Sequence, residues 1–235
     1  MKQELKYTHV FLDADDTLFD YAAAEQFALK ETCLSLGIDY DEEVLSTYRE
    51  INGRLWRLKE LGEIKTEELR VLRFEKLFDA LGSGHTGISV VAADGYIGFL
   101  TRAGFLIDNA LEVCRELKTM GVRLAIVTNG IKDVQLGRLS KSGLEEFIDH
   151  IVISDEVGFA KPARELFDYA FSLCGITEKR SVLMVGDSLT ADIRGGISYG
   201  IDTCWYNPGF LAVPEDTVPD FIISDLTELP KLVRV

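Results

Sequence analysis

The chain has 235 residues, 47% of them hydrophobic, enough for one substantial buried core and a smaller second one. A formal net charge of -14 excludes a broad cationic footprint, so neither nucleic acid nor an anionic membrane is an expected partner, and an anionic small substrate needs a local positive site. Cys33, Cys114, Cys174 and Cys204 are widely separated and read as buried thiols. With no apolar run of membrane-span length and a polar start, Met-Lys-Gln-Glu-Leu-Lys, they point to a soluble cytoplasmic protein, monomer or homodimer.

In chain order, Val10 to Leu12 reads as an apolar strand running directly into Asp13, Asp15 and Asp16. Carboxylates a few ångströms apart repel strongly in a low-dielectric cleft, and a hard cation such as Mg2+ is the usual remedy. The alternative is a polar strand-to-helix turn in which Asp15 or Asp16 caps the next helix. From about Phe19 to Arg102 the apolar period is helical, as in Leu69, Leu72, Leu77 and Leu81, and predicts helices at roughly 20–36, 41–60, 66–81 and 86–102. The glycine-rich segment Gly82 to Gly87 follows no strand, so it reads as a flexible connector and not as a phosphate cradle.

From about Ile107 onward, β-rich runs alternate with helical stretches. The predicted strands are 123–128, 150–154, 181–185, 203–206 and 221–223, most of them nearly continuous apolar runs, as expected of strands covered on both faces. Val10 to Leu12 has the same texture, so the first strand belongs to this sheet and the helical block is an insertion. The expected fold is therefore α/β. A doubly wound, Rossmann-like parallel-sheet core spans 1–18 and 105–235, with an all-helical cap over 19–104, placed to cover a site at the first strand's end.

In such sheets ligands bind beyond the carboxyl ends of the strands. Asp13, Asp15 and Asp16 follow the first strand, Thr128-Asn129-Gly130 the next core strand and Lys161 lies in the loop after the third. Asp187 and Ser188 follow the fourth, with Asp192 one turn later. A hydroxyl and backbone amides at Thr128, Asn129 and Gly130 suit phosphoryl oxygens, Gly130 letting the chain turn without a Cβ. Lys161 supplies a positive charge to the same oxygens. Asp187 completes a metal site with Asp13, while Asp192 binds through water or orients Lys161. Taken singly, Thr-Asn-Gly is an ordinary turn, Lys-Pro an ordinary loop dipeptide and Gly-Asp-Ser an ordinary helix cap. Their succession at strand ends is what argues for chemistry. His9, His85 and His150 form no ligand cluster. Phe19, Tyr21, Asn52, Arg54, Trp56 and Arg57 are candidates for reading a leaving group, although Phe19 and Trp56 fit core positions better.

These motifs resemble the haloacid dehalogenase-like hydrolase superfamily along nearly the whole chain. The resemblance implies Asp13 as nucleophile and Asp15 as general acid and base. It also implies Mg2+ held by Asp13, the backbone carbonyl of Asp15 and Asp187. Asp16 departs from the pattern, since many members have glycine there. The stretches Asp-Ala-Asp-Asp-Thr-Leu-Phe-Asp-Tyr, Val-Gly-Asp-Ser-Leu-Thr-Ala-Asp-Ile-Arg-Gly-Gly and Thr-Cys-Trp-Tyr-Asn look like the subgroup of pyrimidine 5'-nucleotidases, which implies a nucleoside monophosphate as the small phosphorylated partner. A phosphoglycolate or sugar-phosphate phosphatase, or a sugar-phosphate mutase, keeps the same motifs. A 2-haloacid dehalogenase has no need of a proton donor at Asp15 or of paired acids. A receiver-like phospho-aspartate module shares the acid cluster, hydroxyl and lysine, but its output surface would lie under a cap.

Overall fold

The computed structural model describes residues 4–82 and 86–235. Along the chain it forms β1 (His9–Leu12), α1 (Tyr21–Ser35), α2 (Glu42–Glu60), α3 (Thr66–Ala80), α4 (Ser89–Leu100), α5 (Ala110–Met120), β2 (Arg123–Thr128) and α6 (Lys132–Ser142). Then come β3 (His150–Ile153), α7 (Ser154–Val157), α8 (Arg164–Cys174), β4 (Val182–Gly186), a π turn (Leu189–Ile193), α9 (Arg194–Tyr199), β5 (Asp202–Tyr206), β6 (Phe221–Ile223) and α10 (Leu229–Leu232). The predicted strands agree to within one residue at each end. The last helix of the helical block begins later than the periodicity suggested, because Thr86–Ile88 forms a 3-10 turn ahead of it. Part of the connector expected at Gly82 to Gly87, residues 83–85 with His85, lies outside the described residues.

All six strands are parallel and ordered β3-β2-β1-β4-β5-β6. The side-chain period of two explains why both faces are apolar. Val10 and Leu12 on β1, Leu124 and Ile126 on β2, and Leu183 and Val185 on β4 pack with Val113, Cys114 and Leu117 of α5. Their neighbours Phe11, Ala125, Val127, Val182 and Met184 pack on the other face with Leu166, Phe167 and Ala170 of α8 and Tyr199 of α9. Helices thus cover both faces of the central strands, which are buried along nearly their whole length. The strand order reverses at β1, which has β2 on one side and β4 on the other. This is the switch point where the ends of two neighbouring strands open a crevice.

The chain divides into two compact units. One holds the described residues through Tyr21 together with Gly104–Val235, and the other holds Ala22–Ala103. In the helical unit, Asp41 caps α2 by accepting from the Val44 amide at 3.0 Å, and Glu42 and Glu43 in the first turn with Arg57 and Lys59 in the last complement the helix dipole. Its core is aromatic. Tyr48, Phe74 and Tyr96 stand 5.5 to 5.7 Å apart, and the buried Arg73 guanidinium lies 4.3 Å from the Tyr96 ring centre. Two of the residues considered for reading a leaving group have structural partners here. Buried Asn52 donates to Glu25 at 3.1 Å, and exposed Arg54 pairs with Glu50. Trp56 is half-buried under the Lys59 ammonium, and Phe19 is a core residue of the sheet unit.

Candidate active site

The Asp13 amide, just past β1, donates to the Val185 carbonyl of β4 at 2.9 Å, so the β-ladder itself carries Asp13 to the switch point. Its carboxylate is buried beside Lys161, whose ammonium is committed on three sides. Nζ lies 2.5 Å from Asp13 Oδ1, 2.7 Å from Asp192 Oδ1 and 2.6 Å from the Val127 carbonyl oxygen. The contacts to Asp13 and Val127 are hydrogen bonds and the contact to Asp192 is an ion pair. In this structure Lys161, the lysine expected to face phosphoryl oxygens, ties the Asp13 carboxylate to that of Asp192. The Asp13 and Asp192 carboxylates raise the Lys161 pKa against the opposing effect of burial.

The turn after β2 explains how Lys161 is held. Asn129 Nδ2 donates to the Lys161 carbonyl at 2.9 Å, and Asn129 Oδ1 accepts from the Lys161 amide at 2.7 Å. The asparagine side chain therefore mimics a strand partner for the lysine loop. Thr128 Oγ1 accepts from the Gly130 amide at 3.1 Å, which stabilises the turn and leaves the hydroxyl proton for another acceptor. The reason for a glycine at 130 differs from the expected one. Gly130 is not among the positive-φ glycines, but a Cβ there would sit 2.2 Å from Gln135 Nε2. The space that a Cβ would take at Gly130 is occupied by the Gln135 side chain.

Gly186 serves the same purpose for β4. A Cβ there would stand 2.2 Å from Asp192 Oδ2, so the missing side chain lets Asp192 fold back from the π turn against the strand end. Asp192 Oδ2 accepts from the Ser188 amide at 3.0 Å, and Ser188 Oγ caps the same turn by accepting from the Ala191 amide at 3.2 Å. Asp187 is fixed through its backbone. Its carbonyl accepts from the Trp205 indole N–H at 2.7 Å, and its amide donates to Thr17 Oγ1 at 3.1 Å.

Carboxylate oxygens of Asp13, Asp187 and Asp192 lie within 4.8 Å of one another. Burial, followed by the Asp192 carboxylate, pushes the Asp13 pKa well up, and the same causes push Asp187 up to about 7. Crowded, half-dry carboxylates of this kind form an oxygen donor set that fits a hard divalent cation. Asp13 and Asp187 are the better ligands, because both Asp192 oxygens already have partners in Lys161 and Ser188.

Asp15 and Asp16 separate in role. Asp16 sits at φ +57°, the left-handed region that glycine adopts most readily, and its carboxyl accepts from the Tyr21 amide at the start of α1. Burial and the neighbouring Asp15 push its pKa up to about 6. The helix-cap alternative therefore describes Asp16. Asp15 instead turns to α6, where Gln135 Nε2 donates to Oδ2 at 2.8 Å and the buried Arg138 guanidinium pairs with Oδ1. Gln135, Arg138, Thr17 and Trp205 were not read as site residues from the sequence. A usable signal existed for the first two: a polar and a charged residue three apart on a helix face that also carries buried Val134 and Leu139.

Residues 7–200 match the family model described as haloacid dehalogenase-like hydrolase. The HAD-hydrolase YfnB of Bacillus subtilis is 35% identical over 230 residues, 98% of this chain and 97% of its own. Its crystal structure bound to magnesium overlays with a TM-score of 0.89 at 34% identity, covering 98% of this chain and 100% of that one. The pyrimidine 5'-nucleotidase YjjG of Escherichia coli is 31% identical over 229 residues, 97% of this chain and 99% of its own. The pyrimidine 5'-nucleotidase PynA of Streptococcus pneumoniae is 33% identical over 223 residues, 95% of this chain and 93% of its own.

Proposed function

Because the chain belongs to the haloacid dehalogenase-like hydrolases, we propose that it hydrolyses phosphate monoesters through an aspartyl phosphate, with pyrimidine nucleoside 5'-monophosphates as the preferred substrates. The observation that carries the reaction type is the pairing of Asp13 Oδ1 with buried Lys161 at the switch point, which leaves the second oxygen of Asp13 for attack. The substrate class rests on the two near-full-length relatives that are named pyrimidine 5'-nucleotidases.

In the first half-reaction an Asp13 oxygen attacks phosphorus in line, the phosphorus–ester oxygen bond breaks, and Asp15 gives its proton to the departing alkoxide. In the second, Asp15 takes a proton from water as the water oxygen bonds to phosphorus, and the bond from phosphorus to Asp13 breaks to release inorganic phosphate. Thr128 Oγ and the Asn129 amide hold the phosphoryl oxygens with the Lys161 charge beside them, the Gly130 amide being taken by Thr128 Oγ1, and Lys161 with Asn129 keeps the nucleophile and that turn in fixed relation. A divalent cation held by Asp13, Asp187 and the Asp15 carbonyl would offset the negative charge that accumulates there.

The test is phosphate release from a panel of nucleoside 5'-monophosphates, phosphoglycolate and hexose phosphates, with and without Mg2+. Metal-dependent release strongest on pyrimidine monophosphates is expected. It should be lost in Asp13→Ala and reduced about 10² to 10⁴-fold in Asp15→Asn, the usual range for a general acid and base. Preference for a sugar phosphate or phosphoglycolate would remove the nucleotidase reading and keep the mechanism. Halide release from a 2-haloacid, with no phosphate from any ester, would remove both.

A further inference from the structure

We propose that Arg138 and Gln135 are positioning residues that set the orientation of Asp15 for proton transfer, an inference that rests on the acid–base role just given to Asp15. The two side chains stand one turn apart on α6 and hold one carboxylate from both ends, Gln135 Nε2 on Oδ2 at 2.8 Å and Arg138 on Oδ1. The Asp15 side chain is 30% exposed, so water is at hand to solvate it, yet both oxygens take protein donors. Arg138 is completely buried, and its guanidinium lies 4.5 Å from the ring centre of Phe19.

Burying a guanidinium is costly, and an apolar residue of the same volume is often at least as stable, so stability alone is a poor reason for arginine at this position. A rigid two-point grip is a better one. A planar carboxylate held at both oxygens cannot rotate about its terminal bond, so its free lone pairs face one direction throughout turnover. Two further features serve the grip. Gly130 leaves the space that the Gln135 amide occupies, and stacking on Phe19 fixes the plane of Arg138. Because α6 starts two residues after Gly130, the turn assigned to phosphate and the residues that aim the acid are one short covalent segment. Phosphoryl group and proton donor are thereby indexed to each other.

The experiment compares kcat/KM for uridine 5'-monophosphate, whose alkoxide leaving group needs a proton, with that for p-nitrophenyl phosphate, whose leaving group does not. The proteins are wild type, Asp15→Asn, Arg138→Met, Arg138→Lys and Gln135→Leu, each checked for a cooperative unfolding transition. A misplacement of the acid predicts a loss of about 10²-fold on the nucleotide for Arg138→Met. The loss should be only a few-fold on the aryl ester, with a partial return of nucleotide activity in Arg138→Lys. Gln135→Leu introduces no charge change and reads the same ratio should Arg138→Met not fold. Equal losses on both esters in folded variants, or no loss on either, would overturn the positioning role. If Asp15→Asn itself leaves nucleotide hydrolysis unchanged, the acid–base assignment fails, and the positioning role falls with it.

Discussion

Lys161 is the residue on which the charge balance of the crevice turns. It stands between the buried carboxylates of Asp13 and Asp192, with its Nζ within 2.7 Å of both, and all three are almost fully withdrawn from water. Two carboxylates attract one ammonium, and removing it leaves like charges facing each other in a poor solvent. Lys161→Met is therefore expected to lower unfolding free energy by about 3 to 5 kcal/mol in the metal-free protein. Adding Asp192→Asn to Lys161→Met should recover part of that loss. Urea titration in a chelator measures both, and a Lys161→Met protein as stable as wild type would contradict the charge accounting. The same locality explains the glycines: at 130 and 186 a methyl group would occupy the space of Gln135 and Asp192.

Elements hold these residues through packing a layer below the crevice. Phe167 of α8 stacks on Tyr199 of α9 with ring centres 5.2 Å apart, and a Cβ at Gly195 would meet the Phe167 ring at 2.9 Å. Pro162, next to Lys161, approaches the same glycine. The lysine loop is thus supported from beneath by the α8 and α9 contact. Phe167→Ala should cost about 3 to 5 kcal/mol by the combined transfer and cavity terms. The change should appear as a lower urea midpoint at unchanged m-value, and a cost under about 1 kcal/mol would mean that this contact does not support the loop. Cys33, Cys114, Cys174 and Cys204 are all buried, and burial pushes their pKa values up to between about 11 and 12, which suppresses the thiolate.

For the whole molecule, the acids are expected to link stability to pH and to a divalent cation. In the folded protein Asp187 is pushed up to about 7, far above the unfolded range of about 4. The fold therefore binds the proton more tightly than the unfolded chain does. The stability this gives is complete at low pH and is lost as pH rises toward and through 7. In a chelator, Tm is expected to fall between pH 5.5 and pH 8. Mg2+ should raise Tm more at pH 8 than at pH 5.5, because protons compete for the same oxygens. Asp187→Asn should flatten both responses, and an Mg2+ effect equal at the two pH values would show that Asp187 does not bind it. Among the described residues no helix is long and apolar enough to cross a membrane, and the net charge of -14 is spread over the chain.

The β-rich runs, the interrupting helical block and the acids at the strand ends were legible because each is written locally. A strand's covered faces dictate its composition, and a switch point collects whatever residues follow β1, β2 and β4. The partnerships were not legible. That Arg138 and Gln135 grip Asp15 across more than a hundred residues of chain, that Asn129 clamps the Lys161 backbone, and that Gly130 is small for the sake of Gln135 depend on how α6 and the lysine loop pack. Residue type and spacing by themselves determined that the acids, Thr128 and Lys161 follow the strand ends. Only the tertiary structure decided which of them hold one another, because a hydrogen-bond partner is selected by distance in space, and distance along the chain carries no record of it.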